Sequence, residues 1–165
     1  MTPLAADLLI LFQRDLRCFR REIEAFPDDG LLWRTVPGIG NSAGNLALHV
    51  AGNLRAFVGG VLGGTGYVRQ REQEFSRRSG TRAEVAAELE AAGRELEGGL
   101  RALTEATQAA PYPLVVMGVQ PPTGRWLLHL EAHLAFHLGQ AGYLRRALTG
   151  EAVATGVLSI PELMD

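Results

Sequence analysis

The sequence predicts an all-α protein, a four-helix bundle. Two observations carry that expectation. Four long segments repeat apolar residues at spacings of three and four, the period of a helix with one buried face. No segment shows the alternating pattern that strands of a half-buried sheet require. A chain of 165 residues, 47% hydrophobic and 21% charged, is large enough for one core without staples. We therefore expect a single domain over residues 1–165, with the bundle core at about 3–148 and a tail over 149–165. The connections are longer than a minimal bundle needs, so the expected arrangement is up-down-down-up with a crossover.

The first helix is read from Leu8, Phe12, Leu16, Phe19, Ile23 and Phe26, with Asp7, Arg14, Arg17, Arg21 and Glu24 away from the stripe. The segment PDDG at 27–30 ends it. PGIGN supplies a turn, and Asn41 or Ser42 caps a second helix running to about Leu62. That helix is apolar nearly all round (Leu46, Leu48, Val50, Leu54, Phe57, Val58, Val61), which predicts burial on more than one side and a homodimer contact. GGTG at 63–66 breaks it, and YVRQREQEFSRRSG reads as a charged loop or short helical piece. Thr81 and Glu84 form a capping box for the third helix, whose stripe is Val85, Leu89, Ala92, Leu96, Leu100 and Leu103. PYPLVVMGVQPP excludes a helix and allows a short extended piece. The fourth helix runs from Thr123 to about Leu148, and the tail is apolar enough to pack onto the bundle.

Composition excludes several functions. Net charge is −2, so no broad nucleic-acid footprint is expected. The chain has no lysine, which removes Schiff-base chemistry and the P-loop lysine. The single Cys18 excludes an internal disulfide, and a cytoplasmic location is favoured. No basic leader precedes the apolar stretch at the start, and no run approaches the roughly 20 apolar residues of a membrane span.

Three of the four histidines, His129, His133 and His137, stand four apart in WLLHLEAHLAFHLGQAGYL. Side chains at i and i+4 stack on one helical face, so two imidazoles there can reach one ion. On a wheel centred on His133, Trp126, Leu130, His137, Ala141, Leu144 and Leu148 lie within about 80°, while Glu131, Ala135, Gly142 and Arg145 lie opposite. His133 and His137 are therefore expected to face the interior, with His129 at the edge and Gln140 directly below His133 as a hydrogen-bonding support. The fourth histidine, His49, shares its face of the second helix with Asn45 and Asn53. Polar groups buried there need partners across the bundle. The expected site is His49, His133 and His137 on one divalent ion, Zn, Ni, Cu or Fe(II), with positions left open as in catalytic centres. The bland alternative is that Asn45, Asn53 and Gln140 satisfy ordinary core histidines.

The order of a helix-two histidine in GNLALHVAGNLRAF, a charged loop closing in REQEF and a late HxxxHxGQ at 133–140 resembles the DinB-like superfamily, which includes the YfiT-type proteins. The resemblance covers about residues 1–148 and implies a four-helix fold with a metal held by His49, His133 and His137. His129 matches a position not usually counted as a ligand, and Leu138 stands where relatives often carry a basic residue. It further implies a metal-dependent enzyme, a thiol S-transferase using a low-molecular-weight thiol or a hydrolase, acting on a small electrophile. The alternative from another class is a non-catalytic, stress-related metal- or ligand-binding bundle.

Other candidates read as structural. GIGNSAG at 38–44 follows no strand and is a helix cap. Cys18 lies off the apolar stripe and is expected to be an inert, partly buried thiol. Ser42 and Ser159 lack a nucleophile elbow, and the arginine pairs 20–21 and 77–78 are expected to be solvated. Arg125 is a candidate for anion binding at the mouth of the site.

Overall fold

The structure, a computed structural model, describes residues 1–155 and 160–163, so Ser159 lies outside the described residues. It is all-helical; no strand occurs among the described residues, only two isolated β-bridges, Pro111 to Pro122 and Val116 to Val119. Helix α1 spans Pro3–Glu24, with Thr2 accepting from the Ala5 amide and Pro3 at the first position, where no amide donor is missed. PDDG ends α1 as expected, but it also starts a one-turn helix α2, Asp29–Leu32, because Asp28 accepts from the Leu31 amide. That turn seats Leu32 and Trp33 in the core.

Helix α3 covers Ala43–Leu54, opened by a capping box between Ser42 and Asn45. The expected regular helix to Leu62 does not form; Arg55–Gly60 continues as π-helix, with Val61 N–H bonding to Ala56 O at 3.1 Å and Gly63 N–H to Val58 O at 2.9 Å. The wider turn lies against α5, where a Cβ on Gly99 would stand 2.5 Å from Val58 O. Glycine at 99 lets the two backbones touch. Helices α4 (Arg71–Ser76), α5 (Arg82–Arg101), α6 (Glu105–Ala109) and α7 (Thr123–Thr149) follow, with the Thr81–Glu84 capping box present and Gly150 ending α7 at φ 75°. A short 3₁₀ turn, Pro161–Leu163, returns to α1, where Arg17 bonds Glu162 at 2.9 Å.

Four long helices make the bundle: α1 packs on α5 and α7, and α3 packs on the same two from the other side. Specific pairs give the directions. Gly124 lies against Leu4, and Arg145 bonds Glu22, so α1 and α7 run the same way. Arg20 meets Glu90 while Gln13 meets Glu97, so α5 runs against α1. Phe57 packs on Trp126 while His49 meets both His133 and His137, so α3 runs against α7.

Two expectations change. Every residue of α3 except Leu48 is buried within this chain, under α4, α5, α7 and Trp33. Much of the apolar perimeter of this helix thus packs within the chain, with Leu48, Phe57 and Val61 left partly exposed. On α7, the face opposite His133 is not solvated: Arg145 is fully buried, its Nε 2.6 Å from Glu22, and Gly142 also packs on Glu22. The core line of α7 is Leu127, Leu130, Leu134, Leu138 and Ala141. Because α7 touches both α1 and α3, it has two buried sides, and the histidines lie on the α3 flank, half-buried. Cys18 is fully buried rather than partly so, with the Arg21 guanidinium 3.0 Å from its sulfur. Among the described residues no helix is long and apolar enough to cross a membrane.

Candidate metal centre

His49 on α3 and His133 and His137 on α7 bring their Nε2 atoms to one point. His133 Nε2 lies 3.2 Å from that of His49 and 3.1 Å from that of His137. Two imidazole nitrogens at the usual ~2.05 Å from one tetrahedral ion stand about 3.3 Å apart, so these separations suit a shared ion. One ligand atom from each of these residues, and from no other triad among the described residues, falls within 4.8 Å of the other two.

Hydrogen bonding on the far side of two rings sharpens the point. His49 Nδ1 is 3.0 Å from Glu74 Oε2, and His137 Nδ1 is 2.8 Å from Gln140 Oε1. Arg69 Nη2 also lies 3.1 Å from His49 Nδ1, but it donates to the Glu74 carboxylate, which accepts from His49 as well, so each Nδ1 carries the proton and each Nε2 presents a lone pair. His133 Nε2 sits between those lone pairs and can offer at most one proton. A neutral cluster therefore leaves at least one lone pair facing another without a donor; a cation at the centre resolves it.

On α7, electrostatics favour the neutral form of both ligand rings. Burial, then the neighbouring imidazoles and Arg69, push His133 down to about 4. Burial also lowers His137, against the opposing effect of its hydrogen bond to Gln140. Neutral imidazole is the form that ligates.

The residues that sequence reasoning missed are Glu74 and Arg69. Arg69 grips both oxygens of Glu74, Nε to Oε1 at 2.7 Å and Nη2 to Oε2 at 2.8 Å, and Glu74 is buried. Burial raises the Glu74 carboxyl, but hydrogen bonds from Arg69 and His49 and the Arg69 charge outweigh that and hold it below the ordinary value. It stays ionised behind His49. Space for it comes from Gly52, where any Cβ would collide with Glu74 Oε1. Phe75 packs on the His49 ring at 4.7 Å. In the sequence, Glu72 and Glu74 look alike within the charged loop; only the capping of α3 and the docking of α4 separate them.

The remaining expected residues are placed as follows. Asn45 touches no imidazole: its amide donates to Glu74 O at 2.8 Å and Arg77 O at 2.9 Å, pinning α4 beside α3. Gln140 supports His137 rather than His133. Asn53 is buried, and its Oδ1 has no hydrogen-bond partner among the described residues. His129 is exposed at the rim, stacked on Trp126 at 5.0 Å with its centroid 6.2 Å from His133. Arg125 is exposed near the start of α7. Arg77, expected to be solvated, bonds Glu84 at 2.7 Å, and Arg20 bonds Glu90.

Compared with known families, the chain matches the sequence model of the DinB superfamily over residues 11–141, a span containing all three converging histidines and Gln140. No curated protein matches the chain.

Proposed function

The chain belongs to the DinB superfamily, and from that premise we propose that it is a divalent-metal-dependent enzyme, a low-molecular-weight-thiol S-transferase or hydrolase acting on a small electrophile. The observation that carries this reading is the convergence of the His49, His133 and His137 Nε2 atoms with too few protons to satisfy one another. Zinc, nickel and ferrous iron all suit an all-imidazole donor set. When bound, such an ion supplies Lewis acidity that favours the deprotonated form of a thiol or water nucleophile.

The protein's own residues do the rest. Three side-chain donors leave room for exogenous ligands, as catalytic sites do and closed structural sites do not. Glu74, fixed by Arg69, orients His49; Gln140 orients His137; burial keeps His133 unprotonated. His129 and Trp126 form a stacked aromatic wall on one side of the cluster, and Phe75 and Phe136 stand by His49 and His137. These rings offer aromatic faces beside the cluster for an electrophile to pack on.

The test is metal analysis of purified wild type beside His133→Ala. Wild type should carry about one equivalent per chain and the variant almost none. A wild type that remains metal-free after loading with each candidate ion sinks the proposal. Loaded protein should then turn over an electrophile panel with a low-molecular-weight thiol or with water.

A further inference from the structure

The seam between α3 and α7 does not end at the histidines. One turn beyond them on each helix it opens into a groove of about 440 Å³, within the size range of small-molecule pockets. Its walls include Leu46 and Leu144, both buried, and Ile39 and Tyr143, both exposed. Asn41 and Gln140 supply the polar groups, and among the described residues no charged side chain lines it.

The groove is built by the sequence. In VPGI, Pro37 and Gly38 occupy the central positions of a turn closed by Ile39 N–H to Val36 O at 3.0 Å, and Gly38 has φ 83°. Pro then Gly with that φ is the type II pattern, which only glycine adopts without strain at the second place. The turn presents Ile39 over α7. Opposite, the exposed Tyr143 ring forms the other wall, with the Arg146 guanidinium 4.6 Å from its centroid.

Gln140 joins groove to metal centre. Its Oε1 is committed to His137 Nδ1, and its amide nitrogen has no protein partner among the described residues. That nitrogen is a donor for a ligand in the groove, and Gln140 lies about 5 Å along the helix from His137.

We propose that this groove binds the uncharged, apolar body of the organic substrate, an aryl or branched alkyl group bearing a hydrogen-bond acceptor such as a carbonyl. The proposal rests on the metal-dependent reading above and narrows its electrophile to neutral, apolar molecules. A charged substrate finds no counter-charge among these walls and would be desolvated without compensation.

The experiment uses three isosteric probes, 2-naphthamide, 2-naphthoate and 2-naphthylmethylammonium, titrated by calorimetry and ligand-observed NMR into chelator-treated and zinc-loaded protein. The neutral amide should bind at least about tenfold tighter than either ion in chelator-treated protein, where no metal can capture the carboxylate. Ile39→Asp and Ala147→Phe both alter exposed lining positions. Each should weaken the amide about tenfold or more while leaving the metal content unchanged. In zinc-loaded protein the His137 ring signals should shift on binding. Equal binding of the charged probes in chelator-treated protein, no binding of any, or insensitivity to both substitutions overturns the proposal. Binding that leaves His137 unmoved overturns the assignment as a substrate pocket. Because the amide is also tested without zinc, failure of the metal reading leaves a distinct signature: normal probe binding by a protein that takes up no metal.

Discussion

At the residue scale the centre depends on groups that never face the ion. Glu74→Gln keeps the shape but removes the charge that Arg69 grips and leaves one acceptor oxygen for Arg69 and His49 to share. We expect metal affinity to fall about 10–100-fold, as loss of such supporting partners does elsewhere, with the helical signal retained. Competition with a chromophoric chelator measures it; unchanged affinity would show that His49 orients itself. A pH dependence follows from His133, whose pKa lies near 4 against an ordinary 6.5. Between those values the unfolded chain takes up a proton that the folded chain refuses. Folding stability of the metal-free protein should therefore be complete above about pH 6.5 and decline as pH falls towards 4. Urea midpoints in chelator at pH 7.5, 5.5 and 4.5 should show the decline, and His133→Gln should flatten it. What the sequence made legible at this scale was the histidine set, because period and pairing are one-dimensional facts. Glu74 was not legible: its role comes from Gly52 and Asn45 making room and anchorage for α4, which no spacing records.

At the element scale, the helices and caps followed from local chemistry, whereas the π turn and the second buried face of α7 came from neighbours. Ser42, Thr81 and the apolar stripes act within a few residues. The π turn forms where Val58 and Gly99 bring α3 and α5 into backbone contact. Gly99→Ala should cost about 1–3 kcal/mol by overpacking that contact, read as a lowered thermal midpoint; a neutral result would mean the helices part easily. Arg145 on α7, inside the bundle, looked like an outer charge on a wheel because a wheel knows one buried side only. Its pair with Glu22 is 0% and 2% exposed. Glu22→Gln leaves a buried guanidinium short of its counter-charge and should destabilise by about 3 kcal/mol or more. Replacing both residues by apolar ones of similar volume should cost less, and calorimetry on the two variants decides it.

For the whole molecule, binding to the folded state alone raises apparent stability. Zinc at 100 times its dissociation constant should add about 2.7 kcal/mol to wild type and nothing to His133→Ala. Equal thermal shifts in both would place the binding elsewhere. The bundle itself was legible from four amphipathic periods, yet its diagonal order, α1 opposite α3, depends on the length and path of the connections. The order has a consequence for how the molecule breathes. His49 and His133 are 84 residues apart, on helices joined only through α4, α5, α6 and the segments between them. An ion shared between them is a clasp on one seam of four. Amide hydrogen exchange in α3 and the middle of α7 should slow on loading, while α1 against α5 keeps its own rate of opening. A bound ion would thus give the bundle one side that is latched and one that is not.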